Sequence, residues 1–204
     1  MPKEFRDALS KNCESFEIEL SQQTLASLDE FYETLCEFNP VLHLVGKCSV
    51  EEFAVRHILE SIYVLNLFKR TSLLTDVGTG AGLPSIPCLL ADQRLRGVLI
   101  ESKLKKSDYL ETQVRRLGLE ERAKIINKQF SEAPRPKQGL VVTRALDRMS
   151  KNVAKLVSWS GRCDLALFAG EAVREELKRI GIRFTEHLIP LSERRYVFVI
   201  EKGN

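Results

Sequence analysis

Apolar residues in the first part of the chain recur at spacings of three and four, so that Leu25, Leu28, Phe31, Tyr32, Leu35 and Phe38 share one face of a predicted helix. Core packing accounts for that stripe without a ligand. Ser49 and Glu52 stand at capping-box spacing ahead of Phe53, Val55, Ile58, Ile62, Leu65 and Phe68, which predicts a further helix with residues 39–48 as the loop before it. From about residue 72 the period changes. Short apolar runs at 73–77, 98–101, 124–127, 140–143, 165–169, 184–188 and 196–200 alternate with amphipathic stretches at 102–117, 147–159 and 171–180. Such alternation is the sequence form of βα units around a mostly parallel sheet. The short connection at 190–195 suits an antiparallel pair closing the sheet edge. The expectation is an α/β fold: a seven-stranded, mostly parallel sheet with an antiparallel final strand over residues 69–204, preceded by a helical extension over residues 1–68.

Composition narrows the function more than the fold. A chain of 204 residues can bury a substantial core without covalent staples. Its five cysteines, Cys13, Cys36, Cys48, Cys88 and Cys163, are scattered with no CxxC pair, so neither structural zinc nor a disulfide framework is expected. Charges run through the first turns, and no uncharged stretch is long enough to cross a bilayer, so the expectation is a soluble cytoplasmic protein, monomeric, with no membrane partner and no metal. The net charge of +3 conceals an asymmetry, because residues 1–60 hold 5 Lys and Arg against 12 Asp and Glu, leaving 26 against 16 for the rest. A basic second part can attract a phosphate backbone, although a solvated helix surface would give the same count.

The segment LLTDVGTGAGLPSIP at residues 73–87 carries the candidate chemistry. Gly78, Gly80 and Gly82 allow a tight strand-to-helix turn and close approach of a ligand to the backbone. A dinucleotide fingerprint would need glycine where Leu83 stands, and the Gly-Lys-Ser/Thr of a P-loop is absent. What remains, Asp76-x-Gly-x-Gly-x-Gly with Glu101 ending the next strand, looks like the first two cofactor motifs of Rossmann-like class I methyltransferases, whose cofactor is S-adenosylmethionine. In that setting Glu101 would accept hydrogen bonds from both ribose hydroxyls, which an amide cannot reproduce. Asp76 would hold the loop amides or, through water, the cationic end of the cofactor.

Four motifs sharpen the resemblance: RHILES at residues 56–61, DVGTGAGLPSIP at 76–87, LIESKLKKSDYL at 99–110 and VVTRAL at 141–146. In this order and spacing they closely resemble the ribosomal small-subunit RNA methyltransferase G family, also called GidB, from about Phe38 to Ile200. The resemblance implies methyl transfer from S-adenosylmethionine to N7 of one guanine in bacterial 16S ribosomal RNA, with that RNA or the small ribosomal subunit as partner. It carries cofactor positions over to Gly78, Leu83, Phe130, Ser131 and Arg144, and places Glu101 where the family usually has aspartate. A small-molecule methyltransferase and a cofactor-binding module without turnover are the alternative readings.

Guanine N7 offers an unprotonated lone pair, so direct attack on the methyl group needs no general base. Alignment of the reactants would supply much of the acceleration. In keeping with this, the fourth strand is followed by Thr143-Arg144-Ala145 instead of the Asn/Asp-Pro-Pro-aromatic motif of amine methyltransferases. Arg144 and Lys105 are the residues expected at the reacting end. Arg144 can present its fork to guanine O6, an RNA phosphate or the cofactor carboxylate, while Lys105 and Lys106 are candidates for phosphate contacts. His57, far upstream of the loop, is expected to hydrogen-bond where the N-terminal helices meet the cofactor-binding part. The family's Asn-Leu-Thr and Leu-Lys-Gly segments are replaced here by His43-Leu44-Val45 and Phe168-Ala169-Gly170, and its acidic residue before the fourth strand is missing around Gln138 and Gly139.

Overall fold

A computed structural model describes residues 2–68, 71–144 and 149–203. The end of the VVTRAL motif, the start of the helix expected from residue 147 and the boundary drawn at 68/69 touch residues outside that set.

Two helices, α1 (Pro2–Asn12) and α2 (Gln22–Leu42), precede α3 (Val50–Phe53), which runs unbroken through a π-helical turn (Ala54–Leu59) into α4 (Glu60–Leu67). Ser21 caps α2 by accepting from the Thr24 amide at 3.0 Å, worth about 1 kcal/mol. The loop expected over residues 39–48 begins only after Leu42, with Pro40 inside the helix. Proline removes one backbone donor, but α2 continues to Leu42 and ends only where His43 turns left-handed (φ 48°) and donates its amide to Asn39 O at 3.0 Å. Asn39 Oδ1 then accepts the Val45 amide at 3.0 Å, directing the chain away from the helix.

The βα portion contains β1 (Leu73–Val77), α5 (Ser85–Ala91), β2 (Arg96–Ile100), α6 (Leu104–Arg116), β3 (Ala123–Ile126), β4 (Leu140–Thr143), α7 (Met149–Trp159), β5 (Asp164–Ala169), α8 (Glu171–Arg179), β6 (Thr185–Leu188) and β7 (Tyr196–Ile200). Every strand falls within two residues of its predicted position. The sheet order is β3-β2-β1-β4-β5-β7-β6. β7 is antiparallel to both neighbours, so the final strand lies inside the sheet and β6 forms the edge.

Strand residues alternate between two cores, as a pleat covered on both faces requires. Leu140, Val142, Ala166, Val197 and Val199 face one core, which they share with Phe5, Leu28, Phe31, Phe53 and Ile58 of the N-terminal helices. Val141, Leu165, Leu167, Phe198 and Ile200 face the other, with Val153, Leu156 and Leu177 of α7 and α8. The first helices therefore complete one apolar layer over the sheet. A buried relay joins them to the glycine loop: Gln113 donates to Phe31 O of α2 at 3.0 Å and to the Tyr109 hydroxyl at 2.8 Å, and Tyr109 donates to Ala81 O at 3.3 Å. Among the described residues no helix is long and apolar enough to cross a membrane, and no cluster of His, Cys, Asp or Glu has the composition of a metal site.

Candidate active site

The carboxyl ends of β1, β2 and β4 open onto one cavity of about 770 Å³, within the range of roughly 300–1,000 Å³ usual for small-molecule sites. β1 delivers the glycine loop. Gly78, Gly80 and Gly82 all have positive φ (72°, 56° and 87°), the region that side chains with a Cβ avoid. Gly82 has a second reason to be glycine: a Cβ there would lie 2.4 Å from Ile86 Cδ1. The loop amides of Gly78 and Thr79 donate to Ile100 O of β2 at 2.9 and 3.2 Å, so the loop is fastened to the strand that ends in the acidic residue.

Glu101 is almost wholly buried. One carboxylate oxygen accepts from the Gly80 amide at 3.1 Å and the other from the Lys103 amide at 2.8 Å. Each oxygen retains acceptor capacity toward the cavity that Glu101 lines. Asp76 lies behind the loop, fully buried, accepting from the Ser85 amide at 3.3 Å. The hydroxyls of Thr79 and Ser85 adjoin the carboxyl and, with the Ser85 amide, favour its charged form. Burial pushes the Asp76 carboxyl up to about 7.

The cavity brings together Gly78, Gly80, Leu83, Glu101, Phe130, Ser131 and Arg144 of the expected site; Asp76 and Gly82 support the loop from behind, outside the lining. Phe130 opens a 3₁₀ turn (Phe130–Glu132) and stands edge-on to Trp159 at 5.7 Å, which fixes its ring at the wall. The Thr143 hydroxyl donates to Val77 O at 2.8 Å, joining the ends of β4 and β1 just before Arg144.

Arg144 faces an unexpected set of partners. Its guanidinium donates to Ser61 Oγ at 3.2 Å, to Glu60 Oε2 at 3.2 Å and to the carbonyl of Arg56. Glu60 is 1% exposed and also takes Arg195, from the β6–β7 connection, at 2.9 Å. Burial lowers Arg144 to about 10, with Glu60 opposing the shift, so the side chain is charged at neutral pH. Two arginines thus share one buried carboxylate, and the fork expected at the reacting base is tied to the π-helical turn.

Lys105 is exposed on the wall of a smaller depression beside Glu37, Phe38, Asp108 and Tyr109, whereas Lys103, Lys106 and Lys155 line the main cavity. Sequence reasoning also missed Leu44, Val45, Gly46 and Asn152 on the cavity wall. Leu44 and Val45 belong to the departing His43-Leu44-Val45 segment and Gly46 follows it, which was their available signal; nothing in the periodicity of α7 singled out Asn152 or Lys155. His57 lines the same cavity despite its distance along the chain.

This sheet order, with a glycine loop on one central strand and a buried carboxylate on the next, defines a Rossmann-like class I methyltransferase. The fold is shared with the METTL16 methyltransferase domain (TM-score 0.58, 13% identity, covering 87% of this chain and 97% of that one). It is also shared with a SAM-dependent methyltransferase from Aquifex aeolicus (TM-score 0.55, 17% identity, 69% and 89%). The chain belongs to the GidB family, described as rRNA small subunit methyltransferase G, whose model matches residues 24–189. Among its relatives are ribosomal RNA small subunit methyltransferases G of Pelotomaculum thermopropionicum (31% identical, 96% of this chain and 90% of that protein) and Listeria welshimeri (28%, 98% and 90%). A third, methyltransferase G 2 of Syntrophobacter fumaroxidans, is 32% identical over 74% of this chain but only 30% of its own length.

Proposed function

We propose that this protein transfers a methyl group from S-adenosylmethionine to N7 of a guanine in 16S ribosomal RNA, acting as a methyltransferase domain over residues 69–204 with residues 1–68 as its helical extension. The observation that carries the reading is Glu101, held by the Gly80 and Lys103 amides at the rim of the glycine loop. Acceptor capacity facing a cavity of this size suits a ribose diol.

Gly78, Gly80 and Leu83 would lie against the nucleoside and Phe130 against the adenine, with Ser131 at its edge. Asp76 would keep the loop in register. Arg144 would act by holding the wall that faces the reacting atoms. The cofactor supplies an electrophilic methyl group when bound. The chain's own contribution is alignment of the guanine lone pair with that methyl and exclusion of water, which is where a reaction without proton abstraction gains most. Lys103, Lys106 and Lys155 would meet RNA phosphates at the mouth.

Labelled methyl transfer to small ribosomal subunits from a strain lacking the modification tests the reading, with N7-methylguanine mapped in the product. Cofactor binding without any transfer to these particles would refute it.

A further inference from the structure

The π-helical turn is the least ordinary backbone feature near the cavity, and such turns gather at functional sites. It contains His57, whose ring packs on Phe53 at 5.1 Å between centroids and lines the cavity wall. The turn is held from both sides. Ser61 Oγ donates to His57 O at 2.6 Å and accepts from Arg144 at 3.2 Å, while Arg144 also reaches the carbonyl of Arg56. Arg144 thereby fastens the backbone immediately before His57 and, through Ser61, the carbonyl of His57 itself.

The chemistry of the ring follows from its surroundings. Nδ1 is sealed from solvent and accepts no hydrogen bond among the described residues. A buried N–H without an acceptor is rarer and costlier than a bare buried lone pair, and the positive charges of Arg144, Arg56 and Arg195 disfavour a further proton on this ring. The favoured tautomer therefore keeps Nδ1 bare and carries its proton on Nε2. Burial first, and those three guanidiniums after it, lower the imidazole to about 3, so it stays neutral at working pH. A neutral donor is what a purine undergoing N7 attack tolerates, because the base acquires positive charge as the bond to carbon forms and a cation beside it would be repelled.

Building on the guanine-N7 reading, we propose that His57 positions the acceptor base, donating from Nε2 to guanine O6, the acceptor adjacent to N7 on the same base edge. Arg144 and Ser61 are positioning residues for that turn.

The test uses the full chain and small ribosomal subunits lacking the modification. A glutamine amide nitrogen reaches to the place of Nε2, whereas an asparagine amide nitrogen reaches only to that of Nδ1. His57→Gln should stay within about threefold of wild-type kcat, while His57→Asn and His57→Ala fall about tenfold or more, the loss expected for one hydrogen bond to the reacting base. S-adenosylmethionine affinity, measured by calorimetry on the same proteins, should be unchanged in all three, and transfer by wild type should show no imidazole titration between pH 5.5 and 8. Equal activity of the Gln and Asn variants, unchanged turnover in His57→Ala, or a parallel loss of cofactor binding would each overturn the proposal. Wild type that binds cofactor but methylates no guanine would overturn the function beneath it, which the wild-type arm reads separately from the variant series.

Discussion

A single carboxylate can be required both to shape a loop and to bind its ligand, and Glu101 is placed for both tasks. Glu101→Gln keeps one acceptor oxygen but sacrifices the charge and the symmetric pair of acceptors. S-adenosylmethionine affinity is expected to fall at least about tenfold, since a hydrogen bond to a charged group contributes about 1.5–3 kcal/mol; calorimetry reads this directly. Asp76 gives a pH dependence of definite sign. Its folded-state value of about 7 lies above the ordinary carboxyl value of 3.8, so the folded protein retains a proton that the unfolded chain has lost, and its contribution to stability falls as pH rises from about 4 to about 7. Asp76→Asn removes the titration. The stability of the variant relative to wild type should therefore climb across that window and level off above it, as measured by urea denaturation at a series of pH values. The glycines and Glu101 were legible because their spacing alone constrains which ligand fits. The partners of Arg144 were not, because Glu60 and Ser61 lie more than eighty positions away and only packing brings them together.

At the level of elements, the strands were readable since a pleat covered on both faces leaves unbroken apolar runs, as in LVVT of β4 and YVFVI of β7. The end of α2 was less so. Proline usually marks a helix boundary, yet here α2 runs to Leu42, three residues past the Asn39 end that Pro40 would favour, and the left-handed turn at His43 closes it. The π-helical turn could not be read at all, because a guanidinium from the end of β4 satisfies the Arg56 carbonyl. Glu60 is the hinge of this arrangement, bridging the turn, β4 and the β6–β7 connection. Glu60→Gln should destabilise the protein by about 3–5 kcal/mol, the usual cost of leaving a buried charge without its partner. Arg195→Ala should cost much less, because the Arg195 side chain is 38% exposed and its loss leaves the Arg144–Glu60 pair in place. Chemical denaturation of both variants checks the order, and an Arg195 effect as large as that of Glu60 would show that the hairpin, not the buried pair, holds the turn.

For the whole molecule, the charge asymmetry along the chain becomes a question of where cations stand around one opening. Several acidic side chains of the first helices are already paired on the surface, Glu37 with Arg116 at 2.7 Å and Glu51 with Lys11 at 3.0 Å, so they spend little of their charge on repelling a polyanion. Lys103, Lys106 and Lys155 stand at the cavity, on the start and flank of α6 and on α7, while Lys105 projects one position away, toward Glu37 and Asp108. A helix separates successive residues by about a quarter turn, which suffices to put Lys105 and Lys106 in different fields. If RNA docks over the cavity, each lysine that meets a phosphate contributes about one unit to the slope of log affinity against log salt. Lys106→Ala and Lys155→Ala should each lower that slope by about one, with cofactor affinity unaltered, and Lys105→Ala should lower it far less. Binding of wild type and the three variants to ribosomal RNA across a salt series measures the difference. An equal reduction for Lys105 would move the RNA path off the cavity mouth and onto the face formed by α2 and α6.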